Sequence, residues 1–123
     1  MTDSPAPDAL ETARRTLLDS GAGDLPTLPW QHPNEPPDDA TLLRYALWRS
    51  NRQVGSVPRD ELGSGLLLIE AARTYLDSLE TALLFTARAE GWTWGEVAEA
   101  LGVRSPQAAQ QRYQRVSQRP DGA

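Results

Sequence analysis

Residues 91–116 read GWTWGEVAEALGVRSPQAAQQRYQRV, and this stretch decides the fold. Trp94, Val97, Ala98 and Leu101 recur at helical spacing. Thr93 and Glu96 form T-x-x-E, a capping box for a helix starting at Trp94 and running over 94–101. Gly102 is placed to take positive φ and stop it. A helix of about eight residues is not stable alone in water, so it must pack through Val97, Ala98 and Leu101. Val103 enters the core as the chain turns. Ser105 is a good N-cap and Pro106 suits a first helical position, which predicts a second helix over 106–117.

On a wheel of about 100° per residue, Ala109, Tyr113 and Val116 of that second helix share one side, the core side. Gln107, Gln111, Gln114 and Gln118 cluster opposite, and Arg112, Arg115 and Arg119 form a stripe between. Over 103–119 there are four arginines and no acid. A glutamine amide can pair with the N6 and N7 edge of adenine, and an arginine can neutralise a phosphate beside the groove.

The segment WTWGEVAEALGVRSPQAAQQRY resembles the helix-turn-helix of bacterial transcription regulators, in the style of Lac-repressor-type and sigma-factor region 4 units. In such units a small residue stands where Ala98 does, a turn glycine where Gly102 does, an apolar residue at Val103, and a small or branched residue at Ala109. The resemblance covers residues 75–117, with 76–90 as helix 1, 94–101 as helix 2 and 106–117 as helix 3. The turn GVRSPQ is one residue longer than the common GVSRQ-like form, which leaves the register of the recognition positions open by one residue. The resemblance implies that helix 3 reads the major groove. Gln107, Gln110, Gln111 and Gln114 are then candidate base readers, with Pro106 at the groove entrance. Thr93, Trp94, Arg104, Ser105, Arg112 and Arg115 are candidate phosphate contacts. Of Trp92 and Trp94, one is expected to serve packing instead.

The whole chain has 123 residues, 39% hydrophobic and 24% charged, room for a modest core. It has no cysteine, which excludes disulfides and thiolate metal sites. The start, MTDSPAPDAL, is acidic and Pro-rich rather than a signal peptide. The most apolar segment, 66–87, carries Glu70, Arg73, Asp77 and Glu80, which argues against a membrane span, while the absence of cysteine fits a cytoplasmic protein. Net charge is −5, but it is unevenly spread: residues 1–61 hold ten acids and six arginines. The one histidine, His32, sits in a Pro-rich connector, and no triad or phosphate loop is present. The expectation is a protein with no enzymatic activity and no cofactor.

Residues 1–7 are expected to lack order. Leu10, Ala13 and Leu17 predict a short helix over 8–20, stopped at GAG. Residues 26–37 hold five prolines and read as an extended connector, with Trp30 packing down as an anchor. Asp38 or Asp39 can cap a helix running to Arg52 with Leu42, Leu43, Ala46 and Leu47 on its apolar side. One long helix is predicted from Pro58, or as late as Ser64, to Glu90, where Gly91 stops it. Its apolar residues exceed what one buried stripe needs, so two faces should be covered.

Together these readings predict an all-α helical bundle with a long central helix and a C-terminal helix-turn-helix. Residues 1–37 are expected to form a flexible N-terminal region and 38–119 the helical domain. The function expected is sequence-specific binding of double-stranded DNA by a transcription regulator, as a homodimer built on residues 38–90. The alternative is a protein-interaction module, in which the N-terminal region grips a protein partner. No membrane association is expected.

Overall fold

Pro7, whose missing N–H is harmless in a first turn, opens helix α1 (Pro7–Ser20) in the computed structural model, which describes residues 5–52 and 54–118. Leu10, Ala13 and Leu17 form its buried stripe. The helix ends at Gly21, with φ 140°, and a glycine is needed there because a Cβ would lie 2.5 Å from the Tyr45 hydroxyl. That hydroxyl donates to the Ser20 carbonyl at 3.0 Å. One 3₁₀ turn (Ala22–Asp24) follows.

Helix α2 (Asp39–Arg52) begins with a division of labour between two adjacent acids. Asp38 caps it, accepting from the Thr41 N–H at 2.8 Å. Asp39 instead takes both prongs of Arg14 on α1, at 2.7 and 2.9 Å. Helix α3 (Arg59–Leu67) packs against both α1 and α2. Gly65 permits the close approach to α2, since a Cβ there would lie 2.9 Å from Ala46 Cβ. Arg49 of α2 pairs with Glu61 of α3, a carboxylate that is otherwise buried. Leu10, Ala13, Leu17, Ala22, Leu42, Tyr45, Ala46, Leu68 and Ala71 make one core.

The single long helix expected over 58–90 is two helices. At Leu68 the backbone moves to φ −87°, ψ 0°, and its N–H is shared between the Ser64 and Gly65 carbonyls at 3.2 Å each. This tightened turn carries the fully buried Leu68 into the core. Helix α4 (Ile69–Ala89) follows at once.

The chain forms two compact units, the first ending at Arg73 and the second starting at Thr74, within α4. The boundary expected at 37/38 is therefore corrected. Residues 7–20 are no flexible appendage, because α1 contributes three fully packed side chains to the first core. Trp30 is not an anchor either: it is 69% exposed. The connector is organised by Gln31, whose amide oxygen accepts from Leu28 N–H at 2.6 Å and whose amide nitrogen donates to the Glu35 and Pro36 carbonyls at 3.3 Å.

In the second unit, α4 is joined by α5 (Trp94–Leu101) and α6 (Pro106–Ser117). Leu84, Val97, Ala98 and Ala109 are its buried centre, with Ala87, Trp94, Leu101, Val103, Tyr113 and Val116 packed around them. All regular structure among the described residues is helical, the all-α class the sequence implies. No helix among them is long and apolar enough to cross a membrane. Part of the segment expected to lack order, residues 1–4, and Arg119 of the expected arginine stripe lie outside the described residues.

Candidate nucleic-acid interface

Each end of α5 is fixed by local chemistry. The Glu96 N–H donates to Thr93 Oγ1 at 3.0 Å, and the Thr93 N–H donates to Glu96 Oε1 at 2.8 Å, a closed capping box. At the other end Gly102 adopts φ 76°, ψ 22°, and the Val103 N–H reaches back to the Ala98 carbonyl at 3.0 Å. This closure turns Val103 into the core and delivers the chain to Ser105. Ser105 Oγ accepts from the Ala108 N–H at 3.0 Å and caps α6, with Pro106 in its first turn.

The two caps face a common neighbourhood. A Cβ on Gly95 would lie 3.6 Å from Thr93 Oγ1 and 4.0 Å from Pro106 Cγ. The N-termini of α5 and α6 thus adjoin; the Glu96 carboxylate already occupies the start of α5, whereas the first turn of α6 holds no acid. Both capping hydroxyls use an acceptor lone pair in the cap and keep their own proton to donate.

Ala109 is fully buried among Leu84, Val97 and Ala98, which fixes which side of α6 turns inward. Gln107, Gln110, Gln111, Gln114, Arg115 and Gln118 are exposed on the remainder, and Arg104 and Pro106 are exposed at the start. Thr93 is exposed and Ser105 half-buried. Of the eleven expected site residues, eight are thus exposed and Ser105 is half-buried beside them in the turn. Helix α5 differs: its exposed side carries Glu96 and Glu99, so the acid-free surface belongs to α6 and the turn before it.

Two residues expected to meet phosphate are engaged elsewhere. The Trp94 ring is half-buried, with its centroid 5.8 Å from that of Tyr113 and the Arg88 guanidinium 4.7 Å over its face. Arg88 also donates to the Trp92 carbonyl at 2.6 Å, so it ties the end of α4 to the start of α5. Trp94 is a packing residue, and Trp92 is the more exposed of the two. Arg112 places Nε 2.8 Å and Nη2 3.0 Å from the two carboxylate oxygens of Glu80 on α4. Its guanidinium is held above its ordinary pKa, first by that hydrogen bond and then by the charges of Glu80 and Asp77. The fork that a phosphate would need is filled from within the protein.

Sequence reasoning did not find Glu80 or Arg88. Glu80 lies 32 positions before Arg112, so no local spacing signals the pair. Arg88 carries a weak signal, a cation in the last turn of a helix four residues before a tryptophan carbonyl. No protein-family model, curated protein or solved structure matches this chain.

Proposed function

We propose that the protein binds double-stranded DNA in a sequence-specific manner as a transcription regulator, with α6 in the major groove. The observation that carries this reading is the exposed side of α6: glutamines and arginine without an acid, on a helix fixed by a buried alanine and two capped N-termini. Gln107, Gln110, Gln111 and Gln114 read base edges, and Pro106 sits where the helix enters the groove. Thr93, Ser105, Arg104 and Arg115 meet phosphates on either side. The protein is a binder rather than an enzyme, acting in the cytoplasm without a cofactor.

A homodimer fits this function, because one short helix covers few base pairs and paired units read two half-sites. Support comes from α4, where Leu76, Leu79 and Leu83 are exposed along one side. At spacings of three and four residues they lie along one side of the helix, where a second copy would cover them. A second reading, a protein-interaction module, is favoured by a different observation. Leu43, Leu47, Leu62 and Leu66 of α2 and α3 line an open apolar groove of about 440 Å³ in the first unit.

Selection of bound duplexes from a random library, with elution from heparin by salt as a second measurement, tests the DNA reading. Retention and an enriched motif are expected. A chain that flows through heparin at low salt and enriches no sequence refutes it and leaves the interaction module.

A further inference from the structure

Arginine on a helix that faces DNA is usually read as a phosphate contact. Arg112 does not fit that role. Both prongs of its fork are bonded to Glu80, at 2.8 and 3.0 Å, and only 17% of the Glu80 side chain is exposed. Planar bidentate pairs of this kind fix orientation as well as proximity. On α6 the residue sits one helical turn from both Ala109 and Val116, at the edge of the buried seam. The apolar seam of α6 consists of the buried Ala109, the half-buried Tyr113 ring and the half-buried Val116. That contact, with the Tyr113 ring 5.8 Å from the Trp94 ring, sets which side of α6 turns inward. The ion pair adds a directional polar contact at the edge of that seam, where apolar packing leaves small rotations least restrained.

We propose that Arg112 is a positioning residue: through Glu80 on α4 it holds the fine rotation of α6, and so the angle at which the glutamines meet the groove, without touching DNA itself. This role rests on the DNA reading given above. With residues spaced about 100° apart around α6, a rotation of a fraction of that step leaves Ala109 in the core and still shifts Gln107 and Gln111 relative to the groove. The pair therefore acts on specificity, whereas Arg104 and Arg115 act on affinity for any sequence. Asp77 strengthens the arrangement by adding negative charge on the α4 side, which further disfavours transfer of Arg112 to a phosphate.

The test is a double-mutant cycle in the full-length chain: Arg112→Ala, Glu80→Ala, both together, and the exchanged pair Glu80→Arg with Arg112→Glu. Affinity for a selected duplex and for a scrambled duplex is measured across a salt series, and amide exchange is followed on α6. Each single change should lower the preference for the selected duplex by about tenfold, the double should do no more than either single, and the slope of log K against log salt should stay at the wild-type value. Exchange over residues 108–116 should quicken with the fold retained. The exchanged pair should recover most of the preference, although it places an acid on α6. The proposal is overturned if Arg112→Ala reduces the salt slope by about one while Glu80→Ala tightens binding, the signature of a phosphate contact that Glu80 restrains. It is equally overturned if preference and exchange are unchanged in both single variants. A wild-type chain that binds neither duplex refutes the DNA reading and, with it, this role; the exchange data then report the Glu80 strut separately.

Discussion

Replacing Ala98 by glutamate probes the packing on which the whole C-terminal unit rests. Ala98 is 4% exposed and lies in the cluster with Leu84, Val97 and Ala109. The buried members of that cluster are all apolar, so none of them offers a hydrogen bond or a counter-charge. An introduced carboxylate has two options. It can stay ionised without a partner, which costs several kcal/mol, about 3–5 by analogy with broken buried pairs. Or it can take a proton, which at pH 7 costs about 3.7 kcal/mol for an ordinary pKa near 4.3. The added side-chain volume costs about 1–3 kcal/mol more in a filled core. A unit of this size is stable by only about 2–7 kcal/mol, so the sum is enough to unfold it. The folded carboxyl has a raised pKa, so the protonation penalty is full above that pKa and shrinks as pH falls toward the unfolded value. The difference from wild type should therefore narrow by pH 4. Circular dichroism melts at pH 7 and pH 4 provide the assay, with exposed Ala100→Glu as the control. A cooperative Ala98→Glu melt at the wild-type midpoint at pH 7 would falsify the packing assigned to α5.

Three further outcomes are expected. Arg104→Ala and Arg115→Ala should each lower the salt slope by about one and weaken binding to every duplex alike, checked by titration at several salt concentrations. Gln111→Ala should relax selectivity at one base position by about 1–3 kcal/mol, measured on single-base site variants; an unchanged ranking of sites moves the role to Gln107 or Gln110. Gly65→Ala should destabilise the N-terminal unit by about 1–2 kcal/mol in urea, because its Cβ would crowd Ala46, whereas Gly63→Ala, with open space around it, should stabilise by about 0.5–1 kcal/mol. Equal gains from both would show that α3 does not approach α2 so closely.

The elements with local punctuation were legible in the sequence. Leu10, Ala13 and Leu17 with GAG after them located α1, and Thr93, Glu96, Gly102, Ser105 and Pro106 located α5 and α6 to the residue. These signals act over one turn of chain, where a side chain satisfies a neighbouring N–H or a glycine takes positive φ. What failed was long-range. The Leu68 break answers to burial of Leu68 in a core assembled from α1 and α2, and no breaker residue marks it. The Trp30 anchor assumed that a large ring must find cover, but the connector closes through the Gln31 amide instead. Of the candidate interface, Arg112 was placed correctly between the core side and the glutamine side; its partner depends on how α4 and α6 meet, which spacing on one helix does not encode.

Charge decides how such an interface would have to work. The chain carries a net −5, and with Arg112 bound to Glu80 the described part of the α6 surface offers two arginines, Arg104 and Arg115. Two phosphate contacts give a slope of log K against log salt of about −1.8, a weak dependence for a DNA-binding protein. A single copy then has little non-specific affinity to support its base readout at physiological salt. Two copies on adjacent half-sites double the slope to about −3.6 and add their base contacts. Such a pairing would need a surface, and Leu76, Leu79 and Leu83 are exposed on α4. A salt series on a selected duplex, run beside sedimentation equilibrium, therefore separates the cases. A slope near about −3.6 with a dimer mass and a two-fold-symmetric site is expected; a slope near about −1.8 with a monomer mass and an asymmetric site removes the dimer, and leaves affinity to come from contacts that do not involve charge.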